Sequence, residues 1–174
     1  GAVFIEEEGK LENCIFVNNS AEEYGGAVCL DSSGTIQNCN FTDNNALMYG
    51  AVSIDSEAIT TTITRSTFSG NTAPDDRNIF NMGTLEGIER NTFDINDTTI
   101  EVNNIPYGED EVINGTFDAG VSYDLTGSTV SLTINGAEVT ATVTDGNKFT
   151  TTITKPDVGT YPVVFNKVTD SDNN

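Results

Sequence analysis

Gly26-Ala27-Val28-Cys29-Leu30, followed by Asn38-Cys39-Asn40-Phe41-Thr42-Asp43-Asn44, decides the fold, because both segments recur along the first half of the chain. The first matches Gly1-Ala2-Val3-Phe4-Ile5 and Gly50-Ala51-Val52-Ser53-Ile54. The second matches Asn13-Cys14-Ile15-Phe16-Val17-Asn18-Asn19, Arg65-Ser66-Thr67-Phe68-Ser69-Gly70-Asn71 and Arg90-Asn91-Thr92-Phe93-Asp94-Ile95-Asn96. The phenylalanines Phe16, Phe41, Phe68 and Phe93 therefore mark a unit of about 25 residues, long enough for two or three short strands and too short to bury a face by itself. Such units must stack, each burying the face of the next, which is the logic of a solenoid.

Aligned on that period, Val3, Val28 and Val52 form one apolar column, and Ile5, Leu30 and Ile54 a second. Leu11, Ile36, Ile63 and Ile88 form a third and the four phenylalanines a fourth. The intervening Phe4, Cys29 and Ser53 vary, so strand alternation predicts that the constant columns face a common lumen and the variable one faces water. Helix is excluded by the Asn and Gly punctuation and the abundance of β-branched residues. Asn19, Asn44, Asn71 and Asn96 each fall three residues after the stacked Phe, where Asn can tolerate a left-handed backbone and bond neighbouring main-chain groups. The glycines ahead of each Ala-Val strand allow a tight corner. In the last unit Asp76-Arg77-Asn78-Ile79-Phe80-Asn81 replaces the Gly-Ala-Val segment, as expected where capping residues end a solenoid.

From Thr98 the period stops. Alternating segments at Thr98–Val102, Val112–Phe117, Thr129–Ile134, Glu138–Thr144, Phe149–Thr154 and Tyr161–Phe165 replace it, with hairpin signals at Asn135-Gly136 and Asp145-Gly146-Asn147. Short strands at this density suit a β-sandwich of immunoglobulin type, and Tyr161 is placed to form a tyrosine corner. The expected fold is all-β: a right-handed parallel β-helix of about four coils over 1–96, then an Ig-like β-sandwich over 97–174. The stiffness of the whole depends on the junction, for which Met82, Leu85 and Ile105-Pro106-Tyr107 are the expected contacts.

The 174 residues carry 27 Asp and Glu against 7 Lys and Arg, a formal net charge of -20. That charge repels nucleic-acid phosphates and anionic lipid. The chain has no His, so the commonest general base and neutral metal ligand are missing. No apolar run approaches the ~20 residues of a membrane helix. The opening Gly1-Ala2-Val3-Phe4-Ile5 carries no basic lead or cleavage site, and the chain reads as a fragment of something longer.

Candidate chemistry is sparse. The carboxylates of Glu6-Glu7-Glu8 and Glu22-Glu23 fall at turns, without the paired arrangement that a glycosidase or lyase needs, so no catalytic residues are expected. Cys14 and Cys39 occupy equivalent places in adjacent coils, where parallel Cβ vectors favour a buried free-thiol ladder over a disulfide. Asp94, Asn96 and Asp97 at the junction, echoed by Asp170-Ser171-Asp172-Asn173 in the tail, form an oxygen-rich segment of the kind that binds Ca²⁺ and stiffens tandem arrays. They are the one candidate metal site, and calcium the one candidate cofactor. Sequons at Asn18, Asn40, Asn96 and Asn114 are compatible with a glycosylated surface protein.

Gly25-Gly26-Ala27-Val28 and the Phe-x-x-Asn segments at 16–19, 41–44, 68–71 and 93–96 resemble the paired repeat motifs of chlamydial polymorphic outer membrane proteins. They also resemble β-helix repeats in adhesin-like surface proteins of methanogenic archaea. Ser128–Gly136, Thr142–Gly146 and Val158–Tyr161 resemble the Ig-like repeats that bacterial and archaeal surface proteins string in tandem. The resemblance implies a non-catalytic fragment of a large extracellular, cell-surface adhesin that displays or spaces a binding surface. Its expected partners are other cells, surface proteins or glycans, together with neighbouring modules of the same chain, and neither nucleic acid nor membrane. A polysaccharide-active enzyme and a pure stalk are the competing expectations.

Overall fold

A computed structural model describes residues 1–102 and 106–171. Ile105 and the tail Asp172-Asn173-Asn174, to which the junction and linker expectations extended, lie outside the described residues.

The first half is a parallel β-solenoid of about four turns. One sheet joins β1 (Val3–Ile5), β5 (Val28–Leu30), β9 (Val52–Ile54) and β12 (Ile79–Asn81). A second joins β2 (Gly9–Glu12), β6 (Gly34–Gln37), β10 (Thr61–Thr64) and β13 (Leu85–Glu89). The third starts with β3 (Ile15–Val17), β7 (Asn40–Thr42), β11 (Thr67–Ser69) and β14 (Thr92–Phe93), and the short β4 (Ser20–Ala21) and β8 (Asn45–Ala46) pair at a corner. The register reproduces the sequence columns: Val3 pairs with Val28 and Val28 with Val52, Leu11 with Ile36 and Ile36 with Ile63, and the four phenylalanines stand in one row. Coil spacing sets ring spacing, so Phe16, Phe41 and Phe68 stack at 4.9 and 4.7 Å within 7° of parallel. Phe41, Phe68 and Phe93 are wholly buried.

Two local expectations change. Ser53, expected at the surface with Phe4 and Cys29, is buried. It stands between Cys29 and Phe80 on the sheet, and the Phe80 ring stacks on Tyr49 at 3.7 Å, so a small serine beside them is covered. The left-handed corner residues are Asn18, Asp43 and Gly70, one place before the expected asparagines, with a second left-handed column at Asn13, Asn38, Arg65 and Arg90. Gly25 and Gly50 also take positive φ, and Asp76 does so in the last coil. A Cβ on Gly25 would lie 2.2 Å from the Val28 carbonyl oxygen, so this corner admits glycine alone.

The second half is antiparallel: β15 (Asn96–Val102), β16 (Glu111–Asp118), β17 (Thr129–Ile134), β18 (Ala137–Thr144), β19 (Lys148–Ile153) and β20 (Val163–Thr169). They run in the order β15-β16-β19-β18-β17-β20. β18 pairs with β17 along its length and with β19 only at Val143 and Thr144, so β15-β16-β19 and β18-β17-β20 meet through that short link. Ile113, Phe117, Leu125, Val130, Leu132, Val143 and Phe149 fill the space between. The Tyr161 hydroxyl donates to the Asp157 carbonyl at 2.9 Å, closing the expected corner.

Candidate functional site

Where the last coil ends, its open edge is closed by main chain from the second half. β20 adds antiparallel to β14, pairing Phe93 with Val168 and Thr92 with Thr169, which turns the phenylalanine sheet into one 10-stranded sheet running through both halves. The segment after β16 does the same for the first sheet. Gly120 O accepts from Asn78 N–H and Ile79 N–H, Val121 bridges to Ile79 in parallel, and Ser122 bonds both Ile79 and Asn81. Tyr123 stands edge-on against Phe93 and ends the ring stack. Of the expected contacts, Met82 is 49% and Tyr107 79% exposed, so these two do not cover the end, whereas Leu85, on the last-coil strand β13, is partly buried against the core. A solenoid end is a row of unpaired N–H and C=O groups as well as an apolar layer, and strands satisfy both where apolar loop side chains cover only one.

Two polar ladders run up the coils into this cap. In the first, Asn19 donates to Asn44, Asn44 to Asn71 and Asn71 to Asn78, while Asn44 and Asn71 also bond the Phe16 and Phe41 carbonyls. Asn78, and not Asn96, is its last member, because the chain leaves the coil before Asn96, which opens β15. In the second, Cys39 N–H donates to Ser66, Ser66 N–H to Asn91, and Asn91 donates to both carboxylate oxygens of Asp170. Tyr123 adds its hydroxyl to Asp170 at 3.2 Å. Burial, then the Asp170 charge, pushes the Tyr123 phenol well above its ordinary range. Cys14 and Cys39 are free thiols on this column, donating to the Glu12 and Gln37 carbonyls, and burial raises the Cys39 thiol.

At the centre of the junction sits Arg77, only 7% exposed. Its guanidinium pairs with the Asp118 carboxylate and donates to the carbonyls of Asp94 and Asp118. The Asp94 carboxylate lies 3.5 Å away and also accepts from Asn78 and from Gly70 N–H. With its amide turned to satisfy both ends, Asn96 accepts from Arg77 Nε. A Cβ on Gly120 would meet the Arg77 side chain at 2.4 Å, so the absence of a side chain there admits the guanidinium. Of the three candidate calcium ligands, Asp94 and Asn96 thus converge on Arg77, while Asp97 is exposed with a positive φ. Among the described residues no three His, Cys, Asp or Glu side chains form a metal-holding group. Arg77 and Asp118 escaped the sequence reading as site residues, although Arg77 stands in the segment that breaks the repeat.

Residues 13–31 match the repeat of Chlamydia polymorphic membrane proteins, a family associated with the cell surface or outer membrane. The match runs from the Asn13 corner through the first phenylalanine strand to the end of β5, one full passage of both sequence motifs. No curated protein and no solved structure matches the chain. No helix among the described residues is long and apolar enough to cross a membrane.

Proposed function

We propose that the chain is a non-catalytic display and spacing unit of a large extracellular adhesin at the cell surface, contacting other cells, surface proteins or glycans. One observation carries this: a single 10-stranded sheet crosses from solenoid to antiparallel module. Main-chain pairing at that crossing favours a rod that holds its ends apart over a flexible pair of beads. The repeat match at 13–31 adds a surface-protein context. The second module is an Ig-like unit of a tandem array: β15-β16-β19 and β18-β17-β20, joined only at Val143 and Thr144, suit the two halves of such a sandwich, and the Tyr161 corner supports it. Acidic side chains spread over the turns, together with the absence of histidine, favour display over catalysis. Binding of the purified fragment to intact cells and to a glycan panel tests the proposal. Saturable binding supports an adhesin, none supports a stalk, and turnover of a polysaccharide that disappears on replacing one carboxylate overturns both.

A further inference from the structure

Cys14 and Cys39 hold the same pose one coil apart. Each follows an asparagine in the left-handed region, Asn13 with φ 56° and Asn38 with φ 53°. Each thiol donates to the carbonyl two residues back at 3.3 Å, Cys14 to Glu12 and Cys39 to Gln37. Main-chain bonds on either side keep the two in register: Asn13 N–H donates to Gln37 O at 3.1 Å and Asn40 N–H to Cys14 O at 2.9 Å. Equal poses translated by one coil set the sulfurs side by side, about 4.8 Å apart. A disulfide needs a bond of about 2 Å and a dihedral near 90°, and this pair meets neither condition. Two metal–sulfur bonds of about 2.3 Å laid end to end span about 4.6 Å and make no demand on that dihedral.

We propose that Cys14 and Cys39 form a two-coordinate site for one soft monovalent d10 cation of the copper(I) class, held in line between two thiolates along the coil axis. Thiolate donors select soft ions, whereas Ca²⁺ and Mg²⁺ take oxygen and structural Zn²⁺ takes four ligands. The next residue of the column, Ser66, offers only a hydroxyl, which donates to the Thr64 carbonyl at 3.1 Å. Two ligands suffice for such an ion, fewer than the three-ligand groups that the described residues lack. Cys39 belongs to the apolar lumen cluster and Cys14 packs against it, with Leu11 and Phe16 in the same cluster, a shell that keeps water and oxidants from the metal. Cys14, half-buried in the first coil, is the way in. Binding exchanges two S–H bonds for two S–metal bonds and sends both protons to solvent, so affinity rises with pH. The net charge of -20 draws cations toward the chain.

The test titrates copper(I) into the reduced chain without oxygen, in competition with a chromophoric copper(I) chelator. Expected are one ion per chain, two protons released, sulfur-to-metal absorption in the near ultraviolet, and an X-ray absorption spectrum with two sulfur neighbours. Cys14→Ser should weaken binding about a hundredfold or more, since even the loss of an outer-shell partner costs about 10–100-fold. Its side chain is half-buried, so the variant keeps a near wild-type melt and serves if Cys39→Ser misfolds. Cys29→Ser, whose thiol stands on the first sheet, leaves stoichiometry and affinity unchanged. Binding untouched by Cys14→Ser, an equal loss in Cys29→Ser, an ion shared between two chains, or three or more sulfur neighbours overturns the proposal. So does rapid closure of a Cys14–Cys39 disulfide when the metal-free chain is treated with diamide, which would show that the coil spacing does not set the sulfur separation.

Discussion

Phe41→Ala removes a ring that is wholly buried and faces a neighbour on both sides, Phe16 at 4.9 Å and Phe68 at 4.7 Å. Truncating a buried phenylalanine costs about 3–5 kcal/mol in lost transfer energy and residual cavity. Each ring contact adds about 0.5–1.5 kcal/mol beyond area. In a solenoid stability resides in intrinsic and nearest-neighbour terms, so an interior vacancy weakens two coil interfaces at once. Phe16 has one ring partner and 7% exposure, so Phe16→Ala should cost less by about one ring contact or more. Ile15 on the same strand is 74% exposed, and Ile15→Ala should fall within about 0.5 kcal/mol of wild type. The chain contains no Trp, so urea unfolding is followed by far-ultraviolet circular dichroism, with the slope checked for constancy. The expected order of cost is Phe41, Phe16, Ile15. A loss below about 1 kcal/mol at Phe41, or one no larger than at Phe16, refutes the stacked lumen as the source of stability.

The solenoid was legible because its constraint is local and repeated: one coil spacing imposes one column, and Leu11, Ile36, Ile63 and Ile88 display it in sequence. The corner was legible only to within a residue. Asn18 and Asn19 both suit a turn, and which takes positive φ depends on the ladder that Asn19 makes with Asn44, 25 residues away. Asn96 kept the spacing of that ladder but not its place, since the last member need only be an asparagine near the axis and Asn78 is one. The cap was hidden because it joins Asp94 to Asp118 through Arg77, and Asn91 to Asp170 across 79 residues. A trace of it was present in Asp118-Ala119-Gly120-Val121, small residues before a valine as in the Gly-Ala-Val coils, standing outside the period.

Asn71→Leu orphans the buried Asn44 N–H and removes the amide bond to the Phe41 carbonyl, so at about 1–3 kcal/mol for the orphaned donor it should destabilise more than Asn19→Leu in the same urea series. Calcium titration should give no heat with the intact chain, because Arg77 already answers the oxygens of Asp94 and Asn96. A stoichiometric heat that Asp94→Ala abolishes would refute this. Arg77→Met leaves the partly exposed Asp118 and Asp94 without their cation and the Asp94 and Asp118 carbonyls without their donor, and should cost about 1–3 kcal/mol, appearing in calorimetry as two separate transitions. A single transition at the wild-type temperature would show that strand pairing alone holds the junction. The last prediction concerns alkaline pH and the buried phenol of Tyr123, raised by burial and by Asp170 from an ordinary value of 10.0. In the folded chain the phenol keeps its proton, whereas in the unfolded chain it ionises near its ordinary value. Its contribution is therefore complete below about pH 10 and is lost as pH rises through the folded value. The Cys39 and Cys29 thiols, also raised by burial first, act in the same direction from an ordinary 9.0. Tyr123→Phe should lower stability near neutrality by about 1 kcal/mol, the lost bond to Asp170. Between about pH 9 and about pH 11.5 it should also flatten the fall in urea midpoint. Parallel midpoint curves for the two proteins would mean that Tyr123 is open to water when folded, and that the cap does not seal the end of the ring stack.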